Sequence, residues 1–212
     1  MVVLAGGDPE SPSFLQAQVG PDDLLVAANG GSCLALRAGL RPHVIVGDLD
    51  SVTDLELQAL GPEPIVIRHP AEKDASDLEL ALDLAFEAEP REVVVVGALG
   101  GRADHFLTNV GLLHRAMARG IPTRLVGAGI EIRLVERVAH LDLTLGSTVS
   151  LVPLSPRVEG LCLRGFRYPL DGESLQWGTS RCLSNVVVAR PASVSLTSGI
   201  VALIALAEPT AP

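Results

Sequence analysis

The stretch Glu92–Asn109, EVVVVGALGGRADHFLTN, carries the reading of the fold. Four consecutive valines between a charged residue and a glycine predict a strand buried on both faces, because β-branched side chains suit a pleated surface and the run lacks polar alternation. Gly100-Gly101 closes it. From about Ala103 the spacing predicts a helix with Phe106, Val110, Leu113 and Met117 on one face, ended by Gly120-Ile121-Pro122. The order strand, polar loop, helix recurs upstream. The runs VVLAGG, LLVAANGG, VIVGD and PIVIRHP, with TRLVGAG following, alternate with stretches of helical periodicity. That order predicts a mainly parallel sheet flanked by helices. The clearest of the other helices follows Ser76, with Leu78, Ala81, Leu82, Ala85 and Phe86 in register, and Ser76 with Glu79 as its expected capping box.

The pattern changes character near residue 128. Beyond it the helical period disappears, and EIRLVE, STVSLVPL, NVVVARP and GIVALIAL are separated by Gly, Pro, Ser and Asp. The expected organisation is an α/β domain over residues 1–128 and a small all-β domain over residues 129–212, with AEPTAP at the end as a frayed tail.

Composition narrows the function classes. The chain has 212 residues, 48% of them hydrophobic, which excludes a disordered polymer. A net charge of -9 and no basic run interleaved with aromatics argue against a nucleic-acid partner. Cys33, Cys162 and Cys182 have no C-x-x-C spacing and leave an odd count, which fits a reducing compartment. The N-terminus lacks a basic region before an apolar run, and IVALIALA is too short to span a bilayer. The expectation is a soluble cytoplasmic protein with no membrane partner.

Polar residues recur where strands end. HVIVGDLDSV, His43–Val52, places Asp48 and Asp50 just past one strand. Asn29-Gly30-Gly31 follows another, Lys73-Asp74-Ala75-Ser76-Asp77 a third, and Gly100-Gly101-Arg102-Ala103-Asp104-His105 a fourth. In open α/β sheets ligands bind beyond the carboxyl ends of the strands. Aspartates crowded together repel, so such a site needs a compensating cation, and oxygen donors without thiolates suit Mg2+. Glycines let backbone N–H groups approach a phosphate, while Lys73 and Arg102 can neutralise its charge. Each element has a plainer explanation. A lone D-x-D is often a turn, Asp77 favours the first turn of a helix, and His105 and Asn109, one helical turn apart, can satisfy backbone groups. Agreement among four loops favours Mg2+-dependent phosphoryl chemistry.

The motifs AANGGS, GDLDS, KDASDLELAL and GALGGRADHFLTN, followed by GFRYPLDGESLQWGTSRCLSN, closely resemble those of thiamine pyrophosphokinases. The resemblance covers most of the chain. It implies an N-terminal nucleotide-binding domain, a C-terminal β-sandwich that binds thiamine, and a homodimer with sites at the subunit interface. It also implies transfer of a diphosphoryl group from ATP to thiamine. Asp48, Asp50, Asp77 and Asp104 match the family's acidic, metal-binding positions, and Arg102 its phosphate-side arginine. Lys73 and Asp74 share their motif. Together with Asn29, Gly30, Gly31, Gly100, Gly101, His105 and Asn109 they are the expected ATP-binding set. Asp77, Trp177, Ser184 and Asn185 are the expected thiamine-binding set. Asp77 and Asp104 are alternative general bases, and Phe106, Phe166, Tyr168 and Trp177 are the nearby rings. Three departures stand out: Asn29 where the family commonly has aspartate, Cys182 where some members have serine, and Val186 where bacterial members often have glutamate. Competing readings are a haloacid-dehalogenase-like phosphatase from DLDSV, a pterin diphosphokinase, and a nonenzymatic thiamine or nucleotide sensor.

Overall fold

Six short strands of the N-terminal part pair in parallel. In chain order the elements are β1 (Val2–Leu4), α1 (Pro12–Ala17), β2 (Leu25–Ala28), α2 (Gly31–Arg37), β3 (Val44–Gly47), α3 (Asp54–Leu60), β4 (Ile65–Arg68), α4 (Asp77–Glu87), β5 (Val93–Val96), α5 (Ala103–Ala118) and β6 (Thr123–Gly127). This is a computed structural model, and it describes residues 1–7 and 10–206; the segment AEPTAP lies outside the described residues. The chain divides into two compact units, Met1–Ala128 and Gly129–Pro212.

Within the first unit the strand order is β6-β5-β1-β2-β3-β4. The chain winds outward from β1 to β4 and returns to β5 on the other side of β1, so order reverses beside β1, where open sheets form a crevice. β1, β2 and β5 are buried along their whole length, as the unbroken valine and alanine runs require. β4 lies at the edge, and Ile65 and Val66 are exposed there.

Local sequence accounts for most helix ends. Ser76 caps α4 by accepting from Glu79 N at 3.2 Å, and Leu78, Ala81, Leu82, Ala85 and Phe86 are all buried. The expected reciprocal bond from Glu79 is replaced, because the Glu79 carboxylate accepts from Arg115 of α5. A complete capping box forms instead at α3, where Glu56 accepts from Thr53 N at 2.9 Å and Thr53 Oγ1 accepts from Glu56 N at 3.3 Å. On α5 the buried stripe is Leu112, Leu113 and Ala116, with Phe106, Val110 and Met117 half-buried beside it.

The second unit is all-β among the described residues. It contains β7 (Ile130–Val135), β8 (Val138–Leu141), β9 (Thr148–Pro153), β10 (Arg157–Arg164), β11 (Leu170–Gln176), β12 (Asn185–Val186), β13 (Ala192–Ser195) and β14 (Val201–Leu206). Antiparallel pairing gives the orders β12-β9-β14-β7 and β11-β10-β13-β8. Inward residues of both, among them Leu151, Leu161, Leu175, Val194 and Leu203, form one core, which makes the unit a sandwich. An α/β fold followed by an all-β fold is therefore the observed class.

Candidate active site

Loops at the carboxyl ends of β1, β2, β3, β4 and β5 bring their polar residues to one side of the parallel sheet. A cavity of about 590 Å³ opens there, lined by Asn29, Gly30, Lys73, Asp77, Gly100, Gly101, Arg102, His105 and Asn109 among others. Nine expected site residues thus share one concavity. Its glycines bring backbones together. A Cβ on Gly7 would lie 2.3 Å from Gly97 O, and one on Gly6 would lie 2.9 Å from Gly30 Cα. Gly6, Gly7, Gly97 and Ser51 also line the cavity and form part of the site without having been singled out in the sequence. The glycine pair ending VVLAGG carried the same signal as the other loops.

Three carboxylates converge beneath this cavity. Asn29 Nδ2 donates to Asp48 Oδ1 at 3.0 Å, Asp50 Oδ1 at 2.9 Å and Asp77 Oδ2 at 3.0 Å. Lys73 Nζ donates to Asp48 Oδ2 at 3.1 Å and lies 3.0 Å from Asp77 Oδ1, an ion pair outside hydrogen-bond geometry. Donation from Asn29, then from Ser51, lowers the Asp50 carboxyl below its ordinary pKa. Burial pulls the Lys73 ammonium down, yet the neighbouring carboxylates of Asp77 and Asp48 more than offset this and leave its pKa raised. Gly47 makes room for the cluster, since a Cβ there would sit 3.0 Å from both Asn29 Cβ and Asp77 Oδ1.

Asp104 stands apart from this cluster. Arg102 grips it in bidentate fashion, Nε to Oδ1 at 3.1 Å and Nη2 to Oδ2 at 2.6 Å, with both side chains exposed. The guanidinium holds the Asp104 carboxyl down at about 2. Because the folded pKa is depressed, the pair's contribution is present above the ordinary aspartate value and is lost as pH falls through about 2. Carbon-detected NMR of the Asp104 carboxyl should give a midpoint near that value, and Arg102→Ala should return it to the usual carboxylate range. Asp74 is exposed on the Lys73 loop, and Asn109 Nδ2 donates to Ala98 O at 2.9 Å. Gly31 is buried as the first residue of α2.

As they stand, no three His, Cys, Asp or Glu side chains among the described residues are spaced to hold a metal ion. The Asn29 amide and the Lys73 ammonium lie between the carboxylates. The donor chemistry still fits a hard divalent cation, because the acceptors that surround the Asn29 amide nitrogen are three carboxylate oxygens.

The remaining expected residues lie in the second unit. Trp177 is 70% exposed and Tyr168 64% exposed. Ser184 is exposed at φ 57°, its N–H donating to Ser150 Oγ at 2.9 Å. Asn185 is only 6% exposed, and its amide is committed to backbone: Oδ1 accepts from Tyr168 N and Val186 N, while Nδ2 donates to Tyr168 O. Cys182 packs in the sandwich core, and burial pushes its thiol up.

A parallel sheet with a carboxylate–lysine cluster and paired glycines around one cavity at its strand ends defines an α/β protein of the phosphate-transferring class. Comparison with known proteins narrows this. Residues 16–125 match the family model for the thiamin pyrophosphokinase catalytic domain, and residues 131–201 match that for the thiamin pyrophosphokinase vitamin B1 binding domain. The chain is 32% identical to thiamine pyrophosphokinase of Bacillus subtilis, over 95% of its own length and 96% of the relative's. The crystal structure of the B. subtilis enzyme superposes with a TM-score of 0.90, covering 98% and 99% of the two chains at 29% identity. Thiamin pyrophosphokinase from Geobacillus thermodenitrificans gives 0.86 at 30% identity, covering 99% of each chain. The chain belongs to the thiamin pyrophosphokinase family. No helix among the described residues is long and apolar enough to cross a membrane.

Proposed function

We propose that this chain transfers the diphosphoryl group of ATP to the hydroxyethyl group of thiamine, giving thiamine diphosphate and AMP. The observation that carries the reading is the match of the two family models, in order, to successive parts of one chain. The N-terminal cavity supports it on physical grounds. Glycines line the cavity without side chains that would keep a phosphate from the backbone N–H groups, with Lys73, Arg102, His105 and Asn109 on the walls. Asp48, Asp50 and Asp77 would hold Mg2+, while Asp104 is held by Arg102. Bound Mg2+ would neutralise charge on the phosphate oxygens.

In the reaction the thiamine hydroxyl oxygen bonds to the β-phosphorus as the bond from that phosphorus to the α-phosphate oxygen breaks, releasing AMP. The hydroxyl proton needs an acceptor. Asp77 lines the cavity, whereas both oxygens of Asp104 are taken by Arg102, so the acceptor is assigned to Asp77. Positioning and charge neutralisation by Lys73 and Arg102 supply the rest. The acidic cluster also favours thiamine's cationic thiazolium ring.

Thiamine recognition is assigned to Trp177 through Asn185. Ser184→Ala should raise the thiamine KM by about tenfold or more, roughly 1.4 kcal/mol, with much less change in the ATP KM. Asn185→Ala should act differently. Removing its amide strands the Tyr168 and Val186 N–H groups, lowering stability by about 1–3 kcal/mol in urea denaturation. Equal losses toward both substrates in Ser184→Ala would assign that segment to another ligand.

We further place the protein in the cytoplasm as a homodimer with sites at the subunit interface, a reading that exposed Trp177, Tyr168 and Leu183 support. Light scattering at micromolar concentration should give twice the 22.1 kDa chain mass. The deciding assay incubates purified protein with ATP, Mg2+ and thiamine and separates AMP from ADP. AMP with thiamine diphosphate is expected. Phosphate release from a monoester, diphosphoryl transfer to a pterin, or binding without turnover would overturn the assignment.

A further inference from the structure

The nitrogen of the Asn29 amide occupies the point on which the three carboxylates converge. Its two hydrogens face three acceptors at 2.9 to 3.0 Å, one each from Asp48, Asp50 and Asp77. That arrangement oversubscribes the donor. It is the geometry of a positive charge among anions rather than of a saturated amide, and the local balance explains it, since the one ammonium at the cluster, Lys73, pairs with Asp48 and Asp77 and leaves Asp50 without an ion pair. The other end of the same amide is unsatisfied, with Oδ1 buried and without a partner. Asn29 accepts this alongside a left-handed backbone at φ 44°, and the missing side chain of Gly47 leaves the space that its Cβ fills.

We propose that the Asn29 amide is a built-in stand-in for the cation: it holds Asp48, Asp50 and Asp77 together in the metal-free protein and must be displaced when a divalent ion enters. Two consequences follow from electrostatics. Without the amide, the carboxylates repel across a few ångströms and the metal-free protein loses stability. With it, part of the cluster's attraction for a free cation is already satisfied, so Asn29 tunes the cluster toward weak binding of the bare ion. The inference rests on the reading of this cluster as the cation site.

The test needs no turnover. Metal-free protein is titrated with Mn2+ in the absence of nucleotide, with free Mn2+ followed by electron paramagnetic resonance, and its thermal midpoint is measured in EDTA. Asn29→Asp should bind Mn2+ at least about tenfold more tightly than wild type, a change of roughly 1.4 kcal/mol. Its midpoint in EDTA should fall by several degrees and recover when Mn2+ is added. Asn29→Ala removes the amide without adding charge; its midpoint in EDTA should also fall, and its Mn2+ affinity should rise by about threefold or more. Unchanged midpoints and affinities in both variants overturn the proposal. Weaker Mn2+ binding in Asn29→Ala also overturns it, by making Oδ1 a ligand. Failure of every form to bind Mn2+ removes the cluster as the cation site and the inference with it, whereas equal binding by all forms removes only the inference.

Discussion

Asp77→Asn is expected to lower kcat/KM by at least about a hundredfold, or roughly 2.7 kcal/mol, with little change in fold. Asp77 is the one carboxylate that both belongs to the Asn29 cluster and lines the cavity. Replacing it with asparagine removes the negative charge that faces Lys73 and, on the proposed function, an oxygen that would hold Mg2+ and the carboxylate assigned to take the hydroxyl proton. Little in the fold depends on that charge. Ser76 supplies the cap of α4, and the buried stripe from Leu78 to Phe86 is untouched. Losing an acidic residue from the first helical turn costs about 0.3–1 kcal/mol. Circular dichroism and the thermal midpoint should therefore stay close to wild type while turnover collapses. Near-normal activity at limiting Mg2+ would take Asp77 out of the site.

The first unit was legible because its strands are defined by composition alone. Runs such as Val93–Val96 are buried on both faces whatever surrounds them. β10 and β11 escaped notice for the opposite reason. Leu170–Gln176, LDGESLQ, has little β propensity of its own, and its strand exists because it pairs with Arg157–Arg164. The expected capping box at α4 and the one found at α3 show the same limit on a smaller scale. Thr53-x-x-Glu56 and Ser76-x-x-Glu79 have identical spacing, yet only the first closes, because Arg115 on another helix captures Glu79.

The site divides along similar lines. That four polar loops would meet could be read from their equivalent positions after strands. Which aspartates cluster could not, since Asp104 and Asp77 each open a helix after a polar loop, yet Asp77 meets Asn29 and Lys73 while Arg102 folds back onto Asp104. Asn185 is a subtler case. A Ser-Asn pair suggests two ligand-binding side chains, but a nearly buried amide must satisfy nearby backbone first, and Asn185 does so with Tyr168 and Val186. Asn29 is the converse: a neutral residue among aspartates becomes, in three dimensions, the group on which Asp48, Asp50 and Asp77 converge.

The other large effect is expected from a residue that carries no chemistry. Gly31→Ala should destabilise the protein by about 3 kcal/mol or more, read as a lowered urea midpoint with an unchanged slope, and lower the yield of folded protein. The added Cβ would lie 2.0 Å from Leu4 O and 2.6 Å from Leu4 C. Both are backbone atoms of β1, whose Leu4 is fully buried, so neither a rotamer change nor a shift toward solvent relieves the clash. Alanine's better helix propensity, up to about 1 kcal/mol over glycine, offsets only part of it. A control comes from the same site. Gly101 has open space around it but φ +81°, so Gly101→Ala should cost only the left-handed backbone penalty of about 1–2 kcal/mol. If Gly31→Ala costs no more than Gly101→Ala, then α2 does not need to approach β1 this closely. The glycine would then serve the ligand rather than the packing of the helix that places Asn29 and Gly30 at the cavity.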